Sequence, residues 1–264
     1  MKIVGLITEY NPFHNGHLYH IKEAKRITKA DAAIVVMSGD YVQRGVPAIM
    51  PKRVRAEMAL KCGASAVFEL PVCYATGSAE YFALGAVSLL ESLGAVDCIC
   101  FGSECNDLDA LSHVADILGR EPRDYRTLLK NNLKKGSSFP AARQSAVLEY
   151  TENPAYASLL NDPNNILGIE YLKAMKKLNS SMVPFTIRRK GSHYHDQSLD
   201  SGNFSSASAI RSLLAYSGSA IRTEQMGGSF ENTSFSSILG ELEEQVPFSC
   251  LELLKDYHRV AYPV

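Results

Sequence analysis

Three histidines lie within seven residues near the start of the chain, at His14, His17 and His20. They follow the apolar run 3–7, and Gly16 stands between the first two. A polar segment between a strand and a helix is a common ligand site, because parallel sheets bind ligands beyond the carboxyl ends of their strands. The free N–H groups at a helix start attract anions, and a glycine lets the backbone approach. Two histidines there could donate hydrogen bonds to phosphate oxygens, with most effect where negative charge develops.

The histidine segment permits more than one interpretation. A pair of histidines could bind a metal ion, and a histidine-rich loop can lack any catalytic role. The position between a predicted strand and a predicted helix favours a phosphate site over both, because backbone amides converge on an anion there.

A second polar segment, Ser206-Ala207-Ser208-Ala209-Ile210-Arg211, follows the last apolar run of the chain. Ser208 at the start of a helix could donate to phosphate oxygens, and the Arg211 guanidinium could neutralise a triphosphate. By itself the segment fits an ordinary capped helix with a surface arginine better. Together with the histidine segment, and after a fifth predicted strand, it indicates the second half of the same site.

Five short apolar runs predict five strands, at residues 3–7, 32–37, 66–70, 97–101 and 183–187. Helical patterns separate them, so we expect a parallel sheet covered on both faces. The predicted fold is therefore α/β and Rossmann-like, with a five-stranded parallel sheet.

Two regions outside the sheet complete the predicted organisation. Residues 105–180 indicate a largely helical insertion, and residues 217–236 are rich in glycine and serine, as linkers are. The acidic stretch 237–256 has a helical pattern. We expect a catalytic domain over 1–216, followed over 217–264 by the linker and the start of a C-terminal helical domain.

The composition limits the classes of function. The formal net charge is -1, so a nucleic acid would have to bind through a local basic patch. The first apolar run is too short for a signal peptide, and no run approaches the ~18 residues of a membrane span. The six cysteines form no CxxC pair, which argues against zinc. We expect a reduced, cytoplasmic protein with no membrane partner and no metal bound by the chain itself.

The two polar segments resemble the HxGH signature and the ISSTxxR-type motif of nucleotidyltransferases and class I aminoacyl-tRNA synthetases. Longer and rarer segments make the resemblance specific to the tRNA(Met) cytidine acetate ligase family. These are EYNPFHNGH at 9–17, MSGDYVQRG at 37–45, FGSE at 101–104, PNNILGIEY at 163–171 and YHD at 194–196.

This resemblance implies an ATP-dependent ligase. Acetate would attack the α-phosphate of ATP and release pyrophosphate, and N4 of the wobble cytidine of elongator tRNA(Met) would then take the acetyl group and release AMP. The implied substrates are ATP, acetate and that tRNA, the product is N4-acetylcytidine, and Mg²⁺ is expected from ATP chemistry. Family members are longer than this chain, and we expect the missing portion to contribute to tRNA binding.

The resemblance also implies site residues. We expect His17 to stabilise the α-phosphate during transfer, with His14 assisting and Arg211 neutralising the phosphates, as the three catalytic residues. Gly102 would lie under the adenosine, where a side chain would clash. The full set of predicted ATP-binding residues is Ile7, Thr8, Glu9, Tyr10, Asn11, Pro12, Phe13, His14, Asn15, Gly16, His17, Leu18, Tyr19, His20, Gly102, Asn165, Arg188, Arg189, Ser208 and Arg211.

Four more residues, Asp40, Gln43, Arg44 and Lys52, are predicted to contact acetate or tRNA. A loop ion pair would explain the first three equally well. Lys52 could belong to a phosphate-contacting patch with Arg53 and Arg55, or to an ordinary exposed helix face.

Three further polar segments permit a structural interpretation as well as a functional one. Residues 164–165 could simply cap a helix, residues 188–190 could be a solvated charge run, and residues 194–196 could form a lid over the triphosphate or be structural.

Two different functions would share part of the same pattern. A small-molecule adenylyltransferase of the pantetheine-phosphate or nicotinate-nucleotide type would share both short motifs, although the longer segments argue against it. A non-catalytic nucleotide- or RNA-binding regulator would share the fold, although the intact histidines argue against it.

Overall fold

Five parallel strands form one sheet in the computed structural model, which describes residues 1–189, 206–214 and 240–261. The strands are β1 (Ile3–Thr8), β2 (Ala32–Ser38), β3 (Ala66–Leu70), β4 (Cys98–Ser103) and β5 (Val183–Arg188). Their order is β3-β2-β1-β4-β5, and every neighbouring pair is parallel. The predicted five-stranded parallel sheet is confirmed. The direction of the strand order changes between β1 and β4, which is where open α/β sheets bind ligands.

Helices connect the strands and cover both faces of the sheet. They are α1 (Asn15–Thr28), α2 (Lys52–Lys61), α3 (Val72–Ala75), α4 (Ala79–Ser92), α5 (Leu108–Arg120), α6 (Arg123–Lys134), α7 (Phe139–Thr151), α8 (Pro154–Ser158), α9 (Pro163–Lys177), α10 (207–214) and α11 (Phe248–Ala261). The predicted helical insertion is confirmed, because α5 to α9 all lie between β4 and β5.

The central strand β1 divides its side chains between two apolar cores. Val4 and Leu6 pack into a core formed with α1, α2, α10 and α11, whereas Ile7 packs into the core formed with α4 to α7 and α9. Side chains alternate between the two faces of a strand, so the apolar run of β1 must be covered on both sides. The result is a sheet between two helical layers.

Local signals explain where several helices begin. Ser78 accepts a hydrogen bond from the N–H of Tyr81 and caps α4. The first helix begins at Asn15, because His14 caps it. The stretch 237–256, which has a helical pattern in the sequence, is helical over most of its described part but is interrupted before Phe248. Residues 243–247 form a turn, and α11 starts only after Pro247, whose carbonyl accepts the N–H groups of Cys250 and Leu251.

Some predictions concern residues outside the described part of the chain. The glycine- and serine-rich linker 217–236 and the segment 194–196 lie outside it, so the division into domains stays a prediction. Among the described helices, none combines the length and the apolar character needed to cross a membrane.

Candidate functional site

A cavity of about 570 Å³ lies beyond the carboxyl ends of β1 and β4, where the strand order changes direction. Ile7 and Thr8 line it from the end of β1, and Phe101 and Gly102 line it from β4. Its volume is within the ordinary range for sites that hold a nucleotide-sized ligand.

Most of the predicted site residues line this cavity. All three predicted catalytic residues, His14, His17 and Arg211, are among them, and so are Gln43 and Arg44. The other predicted ATP-binding residues in its lining are Ile7, Thr8, Glu9, Tyr10, Asn11, Gly16, Tyr19, His20, Gly102, Arg188, Arg189 and Ser208. Segments that are far apart in the sequence therefore meet at one place, as the two motifs predict.

His14 and His17 form a reciprocal capping pair at the start of α1. Nδ1 of His14 accepts the N–H of Gly16 at 3.1 Å, and Nδ1 of His17 accepts the N–H of His14 at 3.3 Å. A ring nitrogen that accepts carries no proton, so each neutral ring holds its proton on Nε2. The ring centroids lie 3.8 Å apart. Each histidine can therefore donate one hydrogen bond from Nε2 to a ligand in the cavity.

The site keeps these histidines neutral. Burial lowers the pKa of His14 to about 3, and the positive charges of Arg189 and Arg211 act in the same direction. Burial also lowers the pKa of His17 well below its ordinary value and that of His20 to about 4. The permanent positive charge of the site therefore comes from its arginines, while the imidazoles act as neutral donors.

Arg211 on α10 is oriented by two hydrogen bonds. It donates to the backbone carbonyl of Asn11 at 2.7 Å and to Oγ of Ser208 at 2.9 Å. Oγ of Ser206 accepts the N–H of Ala209 at 3.1 Å and caps the same helix. The helix is capped, as one interpretation of this segment has it, and its arginine lines the cavity, as the other requires; contact of Ser208 or Arg211 with phosphate stays a prediction.

Gly102 makes room for an arginine. A Cβ atom at this position would lie 3.1 Å from Cγ of Arg189. Arg188 and Arg189 are exposed, as a solvated charge run would be, yet both line the cavity. The backbone N–H of Arg189 donates to the carbonyl of Ser103 at 3.1 Å, which holds the arginine pair beside the end of β4.

A buried arginine joins the ends of β1 and β2 to α2. Arg55 donates to the carbonyl of Glu9 at 2.5 Å and of Met50 at 3.0 Å, and also to that of Gly39. Neither interpretation of Arg55 from the sequence, a phosphate-contacting patch or an exposed helix face, fits this position, because the side chain is fully buried and its donors are engaged. The residue holds in place the backbone that leads into the cavity.

Glu9 and the loop after β2 meet at the cavity. The Glu9 carboxylate accepts the N–H of Gln43 at 2.9 Å, and burial raises the pKa of Glu9, against the effect of Arg211, Arg55 and Arg44.

Asp40 and Lys52 do not line the cavity. Oδ1 of Asp40 accepts the backbone N–H of Lys52 at 2.7 Å, and the Lys52 ammonium pairs with Glu69 at 2.6 Å. Asp40 therefore accepts a backbone hydrogen bond rather than forming the loop ion pair, and Lys52 is paired with Glu69 on the helix surface. Neither residue is placed to contact a ligand in the cavity, and a contact of either with tRNA stays a prediction.

Asn165 also requires a correction. It is 1% exposed and does not line the cavity. Its Oδ1 accepts the N–H groups of Glu104 and Cys105 at 3.0 and 3.2 Å, and its own N–H donates to the Glu104 carboxylate at 2.9 Å. Asn164 donates to the other oxygen of that carboxylate at 2.6 Å. Asn165 therefore fastens the start of α9 to the end of β4, and direct contact with a nucleotide would require breaking these bonds.

Four residues of the predicted nucleotide-wrapping segment also lie outside the cavity lining: Pro12, Phe13, Asn15 and Leu18. Phe13 is fully buried and Leu18 packs against the same apolar core. The Asn15 side chain donates to the carbonyl of Glu244 at 2.8 Å, which links α1 to the C-terminal segment. Phe13, Leu18 and Asn15 therefore anchor the segment to the rest of the protein and do not form the cavity surface.

One wall of the cavity is apolar, and its residues were not predicted from the sequence. Phe82 from α4, Tyr171 from α9 and Phe101 from β4 are all buried and line the cavity. Phe101 could have been found, because it directly precedes Gly102 at a strand end. Tyr171 ends the segment 163–171, which was quoted only for the family resemblance, and Phe82 lies in no segment that the sequence singled out. Gly168 allows α9 to approach this wall, since a Cβ there would lie 2.6 Å from the Phe101 ring.

The described residues contain no group of three or more His, Cys, Asp or Glu side chains arranged to hold a metal ion. In addition, Nδ1 of both His14 and His17 is engaged with the backbone. The metal interpretation of the histidine segment therefore finds no support in the geometry.

Comparison with known proteins places the chain in a family. The sequence model of the HIGH Nucleotidyl Transferase family matches residues 1–263. The chain belongs to this family. Membership agrees with the α/β fold and with the two histidines at the start of α1.

Individual proteins are also similar to this chain. The tRNA(Met) cytidine acetate ligase of Caldanaerobacter subterraneus subsp. tengcongensis is 54% identical over 83% of this chain and 54% of its own length. The apo structure of Thermotoga maritima TmcAL has a TM-score of 0.86 at 40% identity and covers 99% of this chain and 57% of that one. The same protein bound with alpha-thio ATP has a TM-score of 0.82 at 39% identity, with 99% and 56% covered.

These matches confirm the resemblance inferred from the sequence. The chain spans about half the length of the curated relatives that it matches, 54% of one and 58% of another.

Proposed function

We propose that this chain binds ATP in the cavity between β1 and β4 and uses it to activate acetate as acetyl-adenylate, from which the acetyl group passes to N4 of the wobble cytidine of elongator tRNA(Met). The observation that carries the proposal is the pair of neutral Nε2–H donors of His14 and His17 beside Arg188, Arg189 and Arg211. The names of the relatives, and the alpha-thio ATP bound to one of them, support the choice of substrates.

The first step joins two anions, so their repulsion must be offset. An acetate oxygen attacks the α-phosphorus, the bond to the bridging oxygen breaks, and pyrophosphate leaves with the electron pair. Negative charge accumulates on the oxygens around the α-phosphorus. The Nε2–H groups of His17 and His14 donate to these oxygens, and the arginines balance the charge of the phosphates.

Neutral histidines suit this task. A donor that keeps its proton through the transfer stabilises the transition state without a change in protonation. The lowered pKa of His14, about 3, keeps the ring in this form at physiological pH.

The second step transfers the acetyl group. The N4 amine attacks the acetyl carbonyl, the bond between the carbonyl carbon and the phosphate oxygen breaks, AMP leaves, and N4 loses a proton. The reaction takes place on tRNA, so the proposal places the protein in the cytoplasm.

Mg²⁺ belongs to the proposal only as a partner of ATP. It prefers phosphate oxygens and water, completed by one or two carboxylates, and would supply neutralisation of the phosphate charge. The described residues offer no cage of their own for it. Arg188, Arg189 and Arg211 are the groups of this chain that act on the same charge.

The test of adenylation is isotope exchange between ATP and pyrophosphate, with and without acetate. We expect exchange that requires acetate and that His17→Ala abolishes. Exchange that ignores acetate but needs a phosphorylated acceptor would identify a small-molecule adenylyltransferase instead. The absence of any exchange would leave a nucleotide-binding protein without this activity.

The test of transfer adds unmodified elongator tRNA(Met) to ATP and acetate. Mass spectrometry of the digested tRNA should then show N4-acetylcytidine. Acetate-dependent exchange without this product would restrict the function of the chain to adenylate formation.

A further inference from the structure

A second cavity, of about 1010 Å³, lies between α4 and the helices of the insertion. It shares Ser78, Ala79 and Ile166 with the first cavity, so the two are neighbours across the starts of α4 and α9. Adenylate formation uses none of the other residues in its lining. The volume is sufficient for one or more nucleotides.

The walls of this second cavity carry more positive than negative charge. Among the described residues, Arg126 and Lys177 are exposed and have no carboxylate within ion-pair distance. The lining contains six cationic side chains, Arg120, Arg126, Arg143, Lys173, Lys176 and Lys177, against four carboxylates, Glu80, Asp116, Glu121 and Glu170.

Two of the carboxylates are each shared by two cations. Glu170 is 3% exposed and contacts Arg143 at 3.1 Å and Lys173 at 2.7 Å. Asp116 is likewise shared between Lys176 at 2.7 Å and Arg120 at 3.7 Å. One carboxylate neutralises only one cation, so each cluster keeps a positive charge. Nε of Arg143 is buried without a hydrogen-bond partner among the described residues.

An exposed aromatic ring stands among these charges. Phe139, the first residue of α7, lines the second cavity and is 57% exposed. Leu84 and Leu129 add apolar surface to the same lining. An aromatic ring for base stacking beside cations that follow the phosphates is the arrangement by which proteins hold unpaired nucleotides.

We propose that the second cavity binds the unpaired nucleotides of the anticodon loop of the RNA acceptor. In this arrangement Arg126 and Lys177 contact phosphates and a base stacks on Phe139. The neighbouring cytidine reaches the adenylate past Ser78 and Ala79, which the two cavities share. The inference rests on the proposed function, because it names the surface through which that function meets its RNA. It also supplies the local basic patch that a chain with a net charge of -1 requires.

The binding experiment uses a synthetic, fluorescently labelled anticodon stem-loop of elongator tRNA(Met) and measures anisotropy over a series of salt concentrations. We expect the chain to bind it. The double variant Arg126→Ala with Lys177→Ala should bind more weakly, and the slope of log K against log salt should become shallower by about 1.4, or 0.7 for each lost contact with a single strand. Phe139→Ala should weaken binding roughly 5- to 160-fold without changing the slope.

Matched controls lie on the opposite face of the sheet. Lys22→Ala with Lys255→Ala removes two exposed lysines from α1 and α11, and Phe248→Ala removes a ring that is 72% exposed. We expect both controls to bind the stem-loop as the wild type does. Failure of the wild type to bind, or equal losses in variants and controls, would overturn the assignment of the second cavity.

Acetate-dependent pyrophosphate exchange, measured on the same preparations, separates this inference from the proposed function. Exchange needs no RNA, so the variants of the second cavity should retain it, which also shows that they are folded. A wild type without exchange would refute the proposed adenylation, while the anisotropy data would still report on the second cavity. Exchange that persists with RNA binding unchanged in these variants would refute only the RNA site.

Discussion

The two nitrogens of His17 have separate tasks, and substitution can remove one task without the other. Nδ1 accepts the N–H of His14 at 3.3 Å and caps α1, whereas the proposal gives Nε2–H to the ligand. In His17→Asn the side-chain oxygen can occupy the position of Nδ1, and asparagine and histidine have similar helix propensities. We therefore expect the free energy of unfolding to change by less than about 1 kcal/mol.

Catalysis should respond much more strongly to the same substitution. Loss of one donor to a transition-state oxyanion typically costs about 2.7–4 kcal/mol, or roughly 10²- to 10³-fold in rate. His17→Asn should lower acetate-dependent pyrophosphate exchange by this amount. His17→Gln places an amide N–H near the position of Nε2, so it should recover at least about tenfold of the loss.

Three measurements test this division. Chemical denaturation reports the stability of each variant, exchange reports its catalysis, and the comparison of Asn with Gln isolates the donor. If folded His17→Asn retains a third or more of the wild-type exchange rate, Nε2 is not the donor. The same conclusion follows if the Gln and Asn variants are equally impaired while both remain folded.

Three further predictions concern stability. Folding lowers the pKa of His14 from 6.5 to about 3, so its contribution to stability is present above pH 6.5 and is lost as the pH falls towards 3. His14 alone accounts for about 2 kcal/mol of this loss between pH 7 and pH 5. The pKa values of His17 and His20 are lowered as well, so the measurement is the difference in pH dependence between the wild type and His14→Asn, which keeps a capping acceptor. Gly168→Ala should lower the free energy of unfolding by about 1–3 kcal/mol, because its Cβ would lie 2.6 Å from the Phe101 ring. The control Gly119→Ala, where the nearest atom is at 3.8 Å, should leave the thermal midpoint equal or higher, and an equal drop in both variants would contradict the packing argument. Arg55→Met should cost about 2–4 kcal/mol in the same assay, because three carbonyls lose their donor; an unchanged midpoint would show that these bonds contribute nothing.

Local features of the sequence were sufficient for the elements and for much of the cavity lining. Each strand is a short apolar run, Ser78 is an ordinary capping residue, and the segments around His14 and Arg211 stand at a strand end and a helix start. These signals depend on neighbours within a few residues, so they can be read without the tertiary structure. They place the candidate site at one edge of the sheet, since the carboxyl ends of parallel strands share an edge.

Long-range packing decided the arrangement of the elements and the roles of several polar residues. The strand order, the wall formed by Phe82 and Tyr171, and the second cavity depend on which faces of distant helices meet, and residue type does not specify that. Asn165 and Arg55 show the same limit for polar groups. Their types suit a nucleotide or an RNA phosphate equally well, but in the folded chain Glu104 and three carbonyls already take up their hydrogen bonds. A polar side chain is available to a ligand only when the fold leaves its hydrogen-bonding groups unused. Tertiary contacts decide which of these groups are used.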